Sequence, residues 1–239
     1  ASGGEPWSRT SPSMDKSPCS ACTRLIGSVA PWIGERGQGM NAQDGTQHPG
    51  SIVRLHLDGR IPSDNPKFDD HPDWLPEIFQ IGVRNPQGIA LSSYDGEIYM
   101  SNHGAKGGDW LGRVEQGGNY GWMILGWGGT HYSGAEIGPK WQPGYSKPIT
   151  YWTPSLAVGA IAIYDGQAFK DWRGAALVTS LKDQSLRKIR FDQHTMISET
   201  ILFKGNIGRI RDIDIHPRSG DLFLLGGDGR LWVMRPSKH

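Results

Sequence analysis

The stretch that decides the fold is Gly88–Ser101, GIALSSYDGEIYMS, with its echo at Asp212–Leu225, DIDIHPRSGDLFLL. Set side by side, Ile89 falls opposite Ile213, Leu91 opposite Ile215, Gly96 opposite Gly220, Ile98 opposite Leu222 and Tyr99 opposite Phe223. A third copy begins at Ala160, with Ile161, Ile163, the turn Asp165-Gly166 and, after a longer loop, Ala176–Thr179. Each copy is an alternating strand, a turn carrying Asp-Gly or Ser-Gly, and a second alternating strand. Repeated four-stranded units of this size predict an all-β fold, a β-propeller.

The flanks of the copies are polar. Before the first strand stand Arg84-Asn85, Trp152-Thr153-Pro154 and Arg209-Ile210-Arg211. After the second strand come Asn102-His103-Gly104-Ala105, Ser180-Leu181-Lys182 and Gly226-Gly227-Asp228. In an antiparallel hairpin the start of one strand and the end of the next lie at the same end. These groups are therefore expected on one face of the molecule, in one shared depression. Arginines and a lysine gathered there suit an anionic ligand with several carboxylates, because guanidinium binds carboxylate in a two-pronged manner. A single such residue reads as ordinary surface charge; the set in equivalent loops reads as a site.

Several runs resemble the soluble pyrroloquinoline quinone (PQQ)-dependent aldose sugar dehydrogenases and, more distantly, the soluble quinoprotein glucose dehydrogenases. They are IGERGQ (33–38), GSIVRLHLDGRIPSDNP (50–66), GVRNPQG (82–88), HGAKGGD (103–109), GGNYGW (117–122), YWTPS (151–155), SLK (180–182) and RIRD (209–212). The resemblance covers residues 31 to the end. It implies a six-bladed propeller with PQQ on its top face and an aldose oxidised to a lactone, with electrons passing to an external acceptor. It assigns Arg84, Asn85, Lys182, Arg209 and Arg211 to the quinone and its carboxylates, and the Gly104 and Ala105 carbonyls to a Ca²⁺ ion. Carbonyl oxygens are the hard ligands calcium takes. It places Trp152 beside the sugar as an apolar wall and Glu35 either on sugar hydroxyls or capping its own turn. It also implies a periplasmic or secreted enzyme.

This sequence departs from the family pattern at two places. Ala105 stands where the family has Pro, which leaves the loop less rigid. Trp110 follows Asp109 where a second carboxylate is usual. The family's general base, a histidine upstream of the IGERG-like run, has no counterpart, because the first histidine is His48. His103 belongs to the calcium-loop motif and is expected to orient that loop. His56, His71, His194 and His216 read as packing or surface.

The chain has 239 residues with 34 Gly, 10 Trp and 7 Tyr, a composition suited to tight turns and aromatic wedges between blades. Net charge is +1, which indicates neither a nucleic-acid nor a membrane partner. No apolar run reaches membrane-spanning length. Blades need about 40–50 residues each, so the chain supplies about four, an incomplete six-bladed propeller. The expected divisions are a partial blade at 31–77 and blades at 78–148, 149–198 and 199–236. Open sheet faces predict self-association. The Gly-rich loop Gly126–Ser146 either shapes a substrate site or is disordered.

Residues 1–30 are Ser- and Pro-rich and are expected to be irregular. They lack the basic start and apolar core of a signal peptide. They read as a linker, an expression artefact or a misread frame. Cys19 and Cys22 form a lone CxxC with no further zinc ligands nearby and no thioredoxin-like context. The leading expectation is a quinoprotein sugar dehydrogenase that is inactive as this polypeptide; the alternative is a non-catalytic propeller binding module.

Overall fold

The computed structural model describes residues 23–27 and 39–237. Within them the chain forms four antiparallel sheets and two short 3₁₀ turns. The first sheet holds β1 (Thr23–Gly27), β2 (Ile52–His56) and β3 (Ile78–Gln80). The second holds β4 (Pro86–Leu91), β5 (Ile98–Asn102), β6 (Asp109–Arg113) and β7 (Thr150–Trp152). The third holds β8 (Val158–Ile163), β9 (Ala176–Ser180), β10 (Leu186–Asp192) and β11 (Thr195–Leu202). The fourth holds β12 (Ile210–Ile215), β13 (Leu222–Gly226) and β14 (Leu231–Met234). Strands neighbour one another in chain order within each sheet, the meander of a propeller blade.

The repeat read from the sequence becomes the hairpins β4–β5, β8–β9 and β12–β13. Their registers agree at the far end, where Leu91 pairs with Ile98, Ile163 with Ala176 and Ile215 with Leu222. They agree at the near end too, where Pro86 pairs with Asn102, Val158 with Ser180 and Ile210 with Gly226. Each inner strand also carries a register irregularity just inside that near end, at Pro86/Gly88, Val158/Ile161 and Ile210/Asp212.

The sheets stack face to face, and apolar side chains fill each seam. Ile52, Met100, Trp110 and Tyr120 pack between the first and second sheets. Tyr99, Leu111, Trp152, Val158, Ile161 and Ile189 pack between the second and third. Leu177, Leu186, Ile210, Ile213 and Leu222 pack between the third and fourth. The innermost strands lie close enough to need glycine. A Cβ on Gly88 would stand 2.6 Å from the Ile161 nitrogen and 2.8 Å from the Ala160 Cα. The described sheets do not close a ring. On the fourth, Leu225, Leu231 and Val233 remain exposed.

The blade boundaries differ from the sequence expectation. β3 belongs to the first sheet, β7 to the second, and β11 runs on to Leu202. Each outermost strand closes a blade that the expected division had ended too early. β7 has only three residues and follows the long 126–146 loop, so its alternation is too short to read. Thr23–Gly27 is a strand although residues 1–30 were expected to be irregular. It pairs with β2 from Thr23↔His56 to Gly27↔Ile52, so a tertiary partner supplies what the local pattern does not. Cys19 and Cys22 lie outside the described residues.

Gly88→Ala is expected to lower unfolding free energy by about 1–3 kcal/mol, the usual cost of forcing extra atoms into a packed seam. Urea denaturation checks this. Wild-type stability in the variant would mean that β4 and β8 do not meet as described.

Candidate functional site

The near ends of the three hairpins carry most of the expected site residues. Arg84 and Asn85 precede β4, and both are held by one side chain. The Asn102 Oδ1 accepts the Asn85 N–H at 2.8 Å and the Arg84 N–H at 3.2 Å. The Arg84 guanidinium is buried; its Nη1 donates to the His103 carbonyl at 3.2 Å, and its Cζ lies 5.3 Å from the centre of the Trp122 ring. Burial pulls its pKa down, while Tyr132 and Asp109 oppose that shift. Trp122 is itself located by its neighbours. Its N–H donates to the Gly82 carbonyl and its carbonyl accepts from Gln43 Nε2 at 2.6 Å. Gln43 is in turn paired with Asn119 through both side-chain amides. A Cβ on Gly82 would fall 2.0 Å from Asn119 Oδ1, so glycine in GVRNPQG is what lets GGNYGW close on it.

Beyond β5 the chain turns through His103–Gly108. Lys106 N–H donates to the Thr130 carbonyl, and Gly108 N–H to the Trp152 carbonyl. The Gly104 N–H donates to Asp109 Oδ1 at 2.9 Å. The loop doubles back so tightly that a Cβ on Gly104 would sit 2.1 Å from the Gly107 carbonyl oxygen. Gly107 and Gly108 both take positive φ, at 108° and 74°. The Ala105 methyl packs with Ala42 and Trp122. Hydrogen bonds along the loop hold this turn. The Gly126–Ser146 loop packs on the same turn, with a Cβ on Gly129 falling 2.2 Å from the Gly107 oxygen.

Lys182 lies just past β9, and its N–H donates to the Leu156 carbonyl at 3.0 Å. Arg209 precedes β12; its carbonyl accepts from Gly227 N–H at 2.6 Å. Arg211 is the residue skipped by the β12 register between Ile210↔Gly226 and Asp212↔Leu225. A bulge of this kind re-aims a side chain. All three side chains are exposed. The strand registers bring Arg84, Asn85, the Gly104–Ala105 turn, Lys182, Arg209 and Arg211 to one end of the sheets.

Trp152, expected as a wall beside the sugar, has a buried indole packed in the seam between the second and third sheets. Its Nε1 donates to Glu199 Oε1 at 3.1 Å, and the same oxygen accepts from Arg187 at 2.7 Å. Its neighbour Tyr151 is the exposed residue of β7. Trp110 is buried and stacks on Tyr120 at 4.2 Å, so the residue after Asp109 serves the core. Glu35 lies outside the described residues. Sequence reading set Asn102 among the polar flanks and Trp122 in the GGNYGW run but assigned neither a role; the pairing of Asn102 opposite Pro86 is what puts it beside Arg84 and Asn85.

Against known proteins, the glucose/sorbosone dehydrogenase family model matches residues 27–233. Aldose sugar dehydrogenase YliI of Escherichia coli (strain K12) is 34% identical over 212 residues, covering 85% of this chain and 56% of that protein. Quinoprotein glucose dehydrogenase B of Acinetobacter calcoaceticus is 28% identical over 244 residues, covering 79% of this chain and 50% of its own. A crystal structure of glucose dehydrogenase superposes with a TM-score of 0.79 at 31% identity, over 91% of this chain and 61% of the other. The chain therefore spans about half the length of the curated relatives it matches. Among the described residues no helix is long and apolar enough to cross a membrane.

His103 gives a pH signature in the metal-free protein. Burial pushes its pKa below the ordinary 6.5; Asp109 opposes the shift and Arg84 adds to it. The unfolded chain then binds the proton more readily, so stability falls as pH drops through and below 6.5. Urea unfolding between pH 5 and 7.5 is expected to show this slope in wild type and a shallower one in His103→Gln. Identical slopes would contradict the burial of His103.

Proposed function

This chain belongs to the glucose/sorbosone dehydrogenase family, and from that premise we propose that it binds PQQ and Ca²⁺ for the oxidation of an aldose to its lactone. The observation that carries the reading is the three-fold repetition of register: equivalent hairpins deliver cationic and amide groups to one end of adjacent blades. The donor set fits the cofactor. Arg84, Lys182, Arg209 and Arg211 are cations suited to a polycarboxylate, and Asn85 adds an amide. The Gly104 and Ala105 carbonyls offer the hard oxygens a calcium ion takes.

When bound, PQQ supplies a two-electron acceptor for the sugar's hydride equivalent, and Ca²⁺ supplies Lewis acidity at the quinone. The chain's own residues position. Arg84 is held on three sides, by Asn102 through its backbone, by the His103 carbonyl and by the face of Trp122. A guanidinium fixed in this way meets a carboxylate with little further ordering cost. Lys182, Arg209 and Arg211 are exposed and complete the charge from the neighbouring blades. Glu35 would meet the sugar, and Trp152 packs in the seam between the second and third sheets. An external acceptor takes the electrons onward, and the compartment is periplasmic or secreted. The family's upstream histidine base has no counterpart ahead of His48, and losing a positioned base costs about 10²–10⁴-fold in rate. We therefore expect cofactor binding by this polypeptide with little turnover.

Titration of the chain with PQQ, followed by tryptophan quenching with and without Ca²⁺, tests the reading. Binding is expected to weaken with chelator. Lys182→Ala and Arg209→Ala are each expected to weaken it by about tenfold to a hundredfold, the worth of a charge-assisted hydrogen bond. Absence of PQQ binding by wild type, or unaltered affinity in both variants, sinks the proposal. Dye reduction with several aldoses after reconstitution checks turnover.

A further inference from the structure

We propose that Asp109 is a positioning residue that locks the candidate metal loop of one blade to the cofactor loops of the next, a role that rests on the cofactor reading above. Asp109 opens β6 and is 0% exposed. Its Oδ1 accepts the Gly104 N–H at 2.9 Å. Its Oδ2 accepts the Ser155 hydroxyl at 2.8 Å and the Val158 N–H at 3.3 Å. One carboxylate thus joins the turn after β5, in the second sheet, to the start of β8, in the third.

The connection continues from there. Ser155 Oγ also accepts the Ala157 N–H at 3.1 Å. The Leu156 carbonyl accepts the Ser180 hydroxyl at 2.7 Å, the Lys182 N–H at 3.0 Å and the Asp183 N–H at 3.2 Å. The Ala157 carbonyl accepts the Leu181 N–H at 2.8 Å. The loop that carries Lys182 therefore hangs from residues 156 and 157, and these are pinned through Ser155 and Val158 to Asp109. With both oxygens engaged by internal donors and no solvent exposure, Asp109 acts through Gly104 rather than as a ligand. All three groups facing it are donors, so the site requires two acceptor oxygens. An asparagine of the same shape would turn an NH₂ toward one of those donors and break one side of the bridge. The carboxylate also sets local charge, opposing the effect of burial on both Arg84 and His103.

Asp109→Asn and Ser155→Ala in the full chain test the role by two readouts. The first is amide hydrogen exchange without cofactor. Asp109→Asn is expected to quicken exchange about tenfold in peptides covering 103–108 and 180–183, with β13 unchanged. The second is the Ca²⁺ concentration that half-saturates PQQ binding. Asp109→Asn is expected to raise it about 10–100-fold, the usual effect of losing a group that orients a metal ligand, with excess Ca²⁺ restoring binding. Ser155→Ala, which leaves the Gly104 bond in place, is expected to shift it less. Uniformly faster exchange across the chain, or a lowered melting temperature with unchanged Ca²⁺ dependence, would overturn the proposal, and so would wild-type behaviour in both readouts. If wild type binds no PQQ, the cofactor reading fails, and the exchange pattern alone still decides whether Asp109 locks the loops.

Discussion

Everything at the near end of the sheets depends on how closely the inner strands approach. β4 and β8 meet backbone to backbone because position 88 has no side chain. Within the third sheet Gly159 leaves room for a side chain of the paired strand, since a Cβ there would stand 2.5 Å from Thr179 Oγ1. Ser101 Oγ spans the seam between the second and third sheets to the Gly159 carbonyl at 2.5 Å. A wider spacing would carry Arg84 away from the Lys182 loop, since each rides on its own blade. Interiors packed to crystal-like density transmit such shifts rather than absorb them.

The hairpins were legible because period-two alternation and an Asp-Gly or Ser-Gly turn recur in each copy. The polar end was legible for a related reason: antiparallel pairing fixes which loops share an end, and needs no knowledge of distant contacts. The outer strands were not legible. β7 and β3 are three residues each, and what makes them strands is the neighbour they pair with. Thr23–Gly27 carries the same lesson, as a short run whose conformation comes from β2.

The polar interior was the least legible part. Asp109 could be read as a loop carboxylate, but its partners Ser155 and Val158 belong to another blade. Trp152 reads in the sequence as an apolar wall beside the sugar, and its indole N–H turns inward to Glu199, whose same oxygen accepts from Arg187. Arg187 is itself buried and paired with both Asp183 and Glu199. Buried charges of this kind are tolerable only when each has its partner, and the partner is chosen by the fold. Asn102 is the intermediate case. Its place at the strand end follows from the repeat, whereas its double acceptance of the Arg84 and Asn85 N–H groups arises only in the folded chain.

The register irregularity at the head of β4, β8 and β12 has a consequence for how such a protein can diversify. In a strand, a slip of one residue exchanges its two faces, so an insertion ordinarily turns a core inside out. Here the slip is absorbed within the first few residues, and pairing is regular again from Gly88, Ile161 and Asp212 onward. Chain length ahead of each inner strand is thereby uncoupled from the side-chain alternation behind it. A change of loop length at this end can therefore be taken up while the blades keep their inward and outward faces.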